Sequence, residues 1–300
     1  MKNIMILSGA GLSAPSGLKT FRDNGGLWQD YDVMEVCSAT GFRKNPKKVL
    51  DFYDARRLEL ANVKPNHAHK QIAKLKEKWG KNLFVLTQNV DDLLERAGCK
   101  DVVHLHGFLP ELRCLKCEEI FNIGYEKIEN KICPKCKSQN LRHNIVMFEE
   151  QAPAYTTLYS LLGQTSLFIS IGTSGAVLPV GHYASMCEKS ILNIYEKDAK
   201  LERYFDKIYI EDILSSIDKI ALVVIGFWLS IASVVLSSDH AYLMTLGLIM
   251  AILSWVGALA FVVARYSHVF SAKVVFIINI VSVIVIECFA LNLLYKTFLG

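Results

Sequence analysis

The chain has 300 residues, 52% of them apolar, and 33 Lys and Arg against 29 Asp and Glu give a formal net charge of +4. That length holds one large domain or two smaller ones, and the modest charge without a long basic run leaves nucleic-acid binding with no electrostatic signature. The 8 cysteines do not read as a secreted disulfide framework: four stand at metal spacing while Cys37, Cys99, Cys187 and Cys288 are scattered, so a reducing compartment is expected.

The first residues form an apolar run that Gly9-Ala10-Gly11 breaks at once. It is too short for a signal peptide and reads as a buried strand over residues 3–7. Strand-like runs recur at 83–87, 102–104, 167–171, 191–194 and 207–210, with helical stretches at 46–61 and 67–78 among them. Strands alternating with helices predict an α/β fold, a Rossmann-like doubly wound parallel sheet. Such a sheet binds its ligand beyond the carboxyl ends of its strands. Gly9, Gln88, His106 and Gly172 stand just past four of the runs, and Asn193 lies within a fifth. Five loops are therefore expected to converge on one edge.

Cys114, Cys117, Cys133 and Cys136 read C-x2-C, fifteen residues, C-x2-C, the spacing of one tetrahedral zinc held by two thiolate knuckles. They form a small zinc-binding module, about 108–145, inserted into the alternating pattern. Four thiolates close the coordination sphere, so the zinc is expected to be structural, supplying folding energy to a segment too short to bury much core.

Composition changes near residue 216. Residues 220–236 and 241–264 carry no charge, and 274–294 carry only Glu287. About 20 apolar residues cross a bilayer core, so three all-α transmembrane helices are expected over 216–300, following a domain over 1–215. Lys219, Arg265 and Lys273 flank these stretches, whereas Ser237-Ser238-Asp239-His240 has no Lys or Arg. The positive-inside rule then predicts a multi-pass membrane protein with its N-terminal domain in the cytoplasm. The lipid bilayer would be one partner, and the helices would offer homo-oligomer contacts.

The Gly9-Ala10-Gly11-Leu12-Ser13 turn lets backbone N–H groups approach a pyrophosphate. It continues through Pro15-Ser16-Gly17 to Thr20-Phe21-Arg22-Asp23 and Gly26-Leu27-Trp28. Thr87-Gln88-Asn89-Val90-Asp91, His104-Leu105-His106-Gly107 and Gly172-Thr173-Ser174 with Val177 and Pro179 follow in order. Together these blocks resemble the sirtuins, NAD-dependent protein-lysine deacylases, of the bacterial class III-like kind, over roughly residues 2–215. The resemblance implies NAD as co-substrate, acylated protein lysines as substrates, and release of nicotinamide and O-acyl-ADP-ribose.

Residue by residue, it implies that His106 is the base toward the ribose hydroxyls of NAD. Asn89 and Asp91 would seat the nicotinamide and its ribose, and Gln88 would contact a ribose. Phe21 and Arg22 would shield the reactive carbon. Gly9, Ala10, Gly11, Ser13, Gly172, Thr173, Ser174 and Asn193 would surround the phosphates and the adenosine ribose.

Tyr53 and Arg56 lie three apart on one helix face and resemble the Tyr-x-x-Arg of members that remove succinyl, malonyl or glutaryl groups. Arg56 would hold the acyl carboxylate with paired hydrogen bonds, and acetyl removal is expected as well. Val146 and Phe148 fall where the family pairs with the substrate peptide, but Glu149 stands where it carries glycine, and Tyr195 stands where an acidic residue is usual. Glu149 is expected to narrow the peptide groove or repel acidic substrates. Two other functions fit parts of the pattern: an NAD hydrolase acting as a defence effector, and a non-enzymatic membrane protein that senses NAD or ADP-ribose.

Overall fold

The computed structural model describes residues 3–19 and 32–236; Phe21, Arg22, the spans expected at 241–264 and 274–294, and Glu287 lie outside the described residues. The chain divides into two compact units, Met1–Gly226 and Phe227–Gly300. Among the described residues the strands are β1 (Asn3–Ser8), β2 (Leu83–Thr87), β3 (Val102–His104), β4 (Gly107–Cys114), β5 (Ile120–Asn122), β6 (Leu141–Ile145), β7 (Thr165–Ile171), β8 (Lys189–Ile194) and β9 (Lys207–Ile210). The helices are α1 (Val33–Val36), α2 (Ala39–Lys44), α3 (Pro46–Asn62), α4 (His67–Trp79), α5 (Leu93–Arg96), α6 (Tyr155–Leu162), α7 (Val180–Ser185), α8 (Ala199–Glu202) and α9 (Ile213–Leu236).

Six strands form an all-parallel sheet in the order β3-β2-β1-β7-β8-β9. The chain works outward from β1 to β3, then returns to lay β7 on the other side of β1. That reversal opens a crevice at the carboxyl ends of β1 and β7. Strand β1 is central and covered on both faces, with Ile4, Met5, Ile6 and Leu7 each at most 1% exposed. A parallel strand buried on both faces has no need of a polar side, which is why it reads as a continuous apolar run. Met5 and Leu7 pack with Leu86, Phe168 and Leu192 of neighbouring strands and with Leu158, Leu162 and Tyr183 of α6 and α7. Each such aliphatic side chain contributes roughly 1.5–3 kcal/mol on burial.

Local signals set the helix starts. Asn45 accepts from Lys48 N and Pro46 occupies the first turn of α3, while Asn66 and His69 form a capping box at the start of α4. These are the two helices expected at 46–61 and 67–78.

The segment between β3 and α6 leaves the main sheet and forms a second, antiparallel one in the order β5-β4-β6. Arg57 of α3 joins this module to the rest. It is fully buried and donates to the carbonyls of Leu109 at 2.8 Å, Glu111 at 3.1 Å and Glu126 at 3.1 Å. Asp54, one turn earlier, accepts from His143 Nε2 at 2.9 Å and from the backbone of Ile128.

Helix α9 corrects one expectation. Asp212 caps it by accepting from the backbone N–H groups of Leu214 and Ser215. Ile213, Ile217, Ile220 and Val224 are buried, spaced four, three and four apart, while Leu222 is 68% exposed. That is the one-sided stripe of a helix packed on protein. The apolar run at 220–236 is thus the continuation of a helix rooted at Ile213, and no helix among the described residues is long and apolar enough to cross a membrane. Hydropathy along the chain does not distinguish a side chain buried against protein from one facing lipid.

Candidate active site

At the carboxyl edge the loops are tied to their neighbours one residue beyond the strands. Gln88 N donates to Ser8 O, Gly9 N to Ile171 O, Leu105 N to Thr87 O and Gly172 N to Asn193 O, each at 2.9 Å. Gly11 and Gly172 meet at the crevice. A Cβ on Gly11 would stand 2.6 Å from Gly172 Cα, and Gly172 has φ +60°, so the crossing admits no side chain at either position. Gly9 N and Gly11 N donate to Ile171 O and Gly172 O, so two of the N–H groups that the sequence offers to a pyrophosphate are already committed within the fold.

Ser13 organises the floor of the crevice. Its hydroxyl donates to Asp91 Oδ2 at 2.8 Å and accepts from Asn89 Nδ2 at 3.0 Å. It also lies 3.3 Å from His69 Nε2. His69 Nδ1 takes the backbone N–H of Asn66, so Nε2 carries the ring proton and donates to Ser13. The one donor and both acceptor sites of this buried hydroxyl are thereby used. Burial pushes His69 down to about 4, so its ring is neutral. Asp91 also accepts from Leu93 N at 3.1 Å; burial lifts its carboxyl above the ordinary value against those two donations.

The Thr87–Asp91 turn is held at each residue. Asn89 N donates to Thr87 Oγ1 at 3.0 Å, and Gln88 Nε2 donates to Thr173 Oγ1 at 3.0 Å. His104 lies against Asn89 O through Nδ1 at 3.0 Å and against Glu95 Oε1 through Nε2 at 2.8 Å. Burial opposes its protonation, but the Glu95 carboxylate overcomes this and raises its pKa. Thr87, His104 and His69 thus position the turn, although only the residues they hold were expected to act.

His106 Nδ1 lies 3.1 Å from Gln88 O. A carbonyl only accepts, so Nδ1 holds the proton. Burial depresses the pKa of the ring against that contact. The ring is therefore neutral with its lone pair on Nε2, the form a general base requires. Tyr155 OH lies 2.9 Å from that nitrogen. Gly107 permits the tight exit, since its φ is +92° and a Cβ would meet Asn144 O at 2.1 Å.

The remaining residues expected at the site are dispersed. Ser174 is exposed at the rim. The Asn193 side chain is not brought to the crevice: it is 2% exposed and donates to Glu211 O at 2.9 Å and Ser216 Oγ at 3.0 Å, tying β8 to α9. Tyr53 is buried on α3 with its hydroxyl on the Cys37 thiol, and burial pushes the phenol well up. Arg56 stacks on Phe52, 5.5 Å from the ring centroid, and gives Nη2 to Glu59 at 2.8 Å. Its Nε is buried with no partner among the described residues.

Val146 continues from β6 by donating its N–H to His106 O at 2.9 Å. Phe148 bridges Ser38, with N donating to Cys37 O at 2.8 Å and O accepting from Ala39 N at 3.0 Å. Glu149 adopts φ +73°, the conformation for which glycine is the usual residue. Its carboxylate turns to the start of α2 and accepts from Thr40 N at 2.9 Å; the contacts with Thr40 hold its pKa below the ordinary range.

The four cysteines meet at the tips of two matched knuckles. Glu118 and Lys137, each following a second cysteine, have φ of +60° and +59°, and donate to Cys114 O and Cys133 O at 2.9 and 3.0 Å. All four Sγ atoms lie within 4.8 Å of one another, with Cys114–Cys136 at 3.5 Å and Cys117–Cys133 at 3.6 Å. Zn–S bonds of about 2.3 Å in a tetrahedron place sulfurs about 3.8 Å apart, so the donor set fits zinc. A disulfide would need about 2.05 Å.

A parallel sheet with reversed strand order, a glycine crossing and a polar floor at its switch point define a dinucleotide-binding protein. The chain matches the Sir2 family over residues 9–179. An NAD-dependent protein deacylase of Campylobacter jejuni (strain RM1221) is 88% identical to it over 227 residues, 76% of this chain and 97% of that relative. One of Helicobacter hepaticus is 40% identical over 255 residues, covering 77% and 100%. A solved Sir2 homologue–NAD complex superposes with a TM-score of 0.65 at 31% identity, covering 75% of this chain and 90% of that one. The chain belongs to the Sir2 family. Residues 222–297 separately match the LysE type translocator family.

Proposed function

We propose that this chain is an NAD-dependent protein-lysine deacylase. The observation that carries the reading is the neutral His106, its proton on Nδ1 against Gln88 O and its Nε2 met, among the described residues, only by the Tyr155 hydroxyl, together with the Asn89–Ser13–Asp91 network. NAD is the co-substrate and supplies a labile bond between nicotinamide and ribose. Asn89 and Asp91 seat the nicotinamide end, their side chains fixed by Ser13. Gln88 and Thr173 reach a ribose, and Gly9, Ala10, Gly11 and Ser174 border the phosphates. His106 takes a proton at Nε2 from a ribose hydroxyl. Val146 and Phe148 align the acylated peptide over the crevice. Cys114, Cys117, Cys133 and Cys136 hold zinc, which stabilises β4–β6 and takes no part in the chemistry.

Acidic acyl groups are the preferred substrates. Arg56 supports this with a guanidinium on an aromatic ring and an Nε that has no partner among the described residues, and a guanidinium is suited to an acyl carboxylate. Glu59 is its competitor in the free protein. Glu149 does not argue for the hydrolase alternative, because its carboxylate is engaged at α2. A membrane tether is also part of the reading. It rests on the apolar stretches at 241–264 and 274–294 and on the LysE-type match over residues 222–297.

The test is nicotinamide release by the purified chain with NAD, with and without a succinylated lysine peptide. Release that depends on peptide and vanishes in His106→Ala is expected; release independent of peptide overturns the deacylase reading.

A further inference from the structure

Tyr155 touches the base, and none of the sequence motifs includes it. It is the first residue of α6 and ends the connection that begins with the peptide-aligning residues after β6. Its hydroxyl lies 2.9 Å from His106 Nε2, with ring centroids 6.0 Å apart and planes inclined by 57°. Nδ1 faces Gln88 O and keeps its proton, so Nε2 has only a lone pair to offer. Tyr155 must then be the donor. Burial raises the pKa of its phenol, which keeps that proton in place.

The lone pair that a base needs is thus already occupied by a protein hydroxyl. An imidazole nitrogen has one in-plane lone pair, so a ribose hydroxyl and Tyr155 cannot both donate to it linearly. Release is feasible: no side chain caps the start of α6, and Tyr155 is only half-buried.

We propose that Tyr155 is a positioning residue for His106, standing in for the ribose hydroxyl of the dinucleotide. It holds the Nε2 edge of the ring before the dinucleotide binds, while Gln88 O keeps the proton on Nδ1, and it gives up Nε2 when the ribose arrives. The inference rests on the base role of His106. Its consequence is that each dinucleotide breaks one internal hydrogen bond, so apparent affinity is lower than the crevice alone would give.

The test is Tyr155→Phe in the full chain, which keeps the ring and removes only the hydroxyl. The KM for NAD should fall by roughly two- to tenfold, the worth of one neutral hydrogen bond, with kcat within about twofold because Gln88 O still holds the ring. Nitrogen-15 NMR of dinucleotide-free protein gives a second readout. His106 Nε2 should be of lone-pair type in both proteins and should move downfield in the variant, with Nδ1 unchanged. An unaltered KM together with an unaltered Nε2 resonance overturns the inference, as does a joint loss of kcat and affinity, which would mark Tyr155 as structural. His106→Ala separates this from failure of the parent reading: full activity in that variant removes the base itself, whatever Tyr155 does.

Discussion

Replacing Ser13 with Ala removes the one hydroxyl that satisfies three partners. Asp91 Oδ2 loses its donor at 2.8 Å, Asn89 Nδ2 its acceptor at 3.0 Å, and His69 Nε2 its acceptor at 3.3 Å. Ser13 is 2% exposed, so solvent does not replace the hydroxyl without rearrangement. One bond to a carboxylate and two stranded donors sum to about 2–4 kcal/mol, the longer His69 contact counting least. For a domain of this size that corresponds to about 5–15 °C in Tm. Asn89 and Asp91 also lose their common anchor, so kcat/KM for NAD should fall at least about tenfold through lost orientation. Differential scanning fluorimetry and initial rates on the same preparation measure both. A Tm within about 1 °C of the parent with unchanged kcat/KM would refute the reasoning, since Ser13 would then organise nothing.

Buried histidines set the pH response. His69 has a folded-state value of about 4 against an ordinary 6.5, so the unfolded chain takes up its proton first; stability is complete above about pH 6.5 and is lost as pH falls toward 4, which denaturant titrations across that window should record. His106 is also depressed by burial, so kcat/KM for NAD should be level at neutral pH with its acid limb below about 6.5; a limb centred above 7 would assign the base elsewhere. Cys133→Ser opens one knuckle of the zinc site. Hydrogen exchange should show residues 107–145 losing protection while β1 and β2 retain theirs, and equal loss everywhere would make the metal part of the main core. Glu149→Gly should leave deacylation within about twofold and shift Tm only slightly, because relief of a left-handed φ offsets the lost contact with Thr40; a large gain on acidic acyl peptides would show that the carboxylate faces the groove.

Much of this was legible because the physical constraints are local. A parallel strand covered on both faces, such as β1, must be apolar throughout, and Asn45-Pro46 and Asn66 announce helix starts by their own hydrogen-bonding chemistry. The zinc knuckles are legible for the same reason, since two cysteines three apart already define half a tetrahedron. What sequence did not disclose depends on distant partners. Tyr155 meets His106 across 49 residues, and nothing near either announces the other. Asn193 reads as a crevice residue from the family resemblance, yet its amide turns to Ser216 and Glu211. Glu149 reads as an obstruction, and only the left-handed backbone at that position directs its carboxylate to α2. Residues 220–224 of α9 read as lipid-facing because buried apolar stripes and membrane spans share the same residue types.

The most direct test of the account follows atoms rather than rates. Full-length protein is incubated with NAD and a succinyl-lysine peptide, and the products are resolved by mass spectrometry. Nicotinamide, free-lysine peptide and O-succinyl-ADP-ribose in equal amounts are predicted. Free ADP-ribose accumulating while the peptide keeps its acyl group would contradict the account, because the crevice would then be delivering the ribose to water.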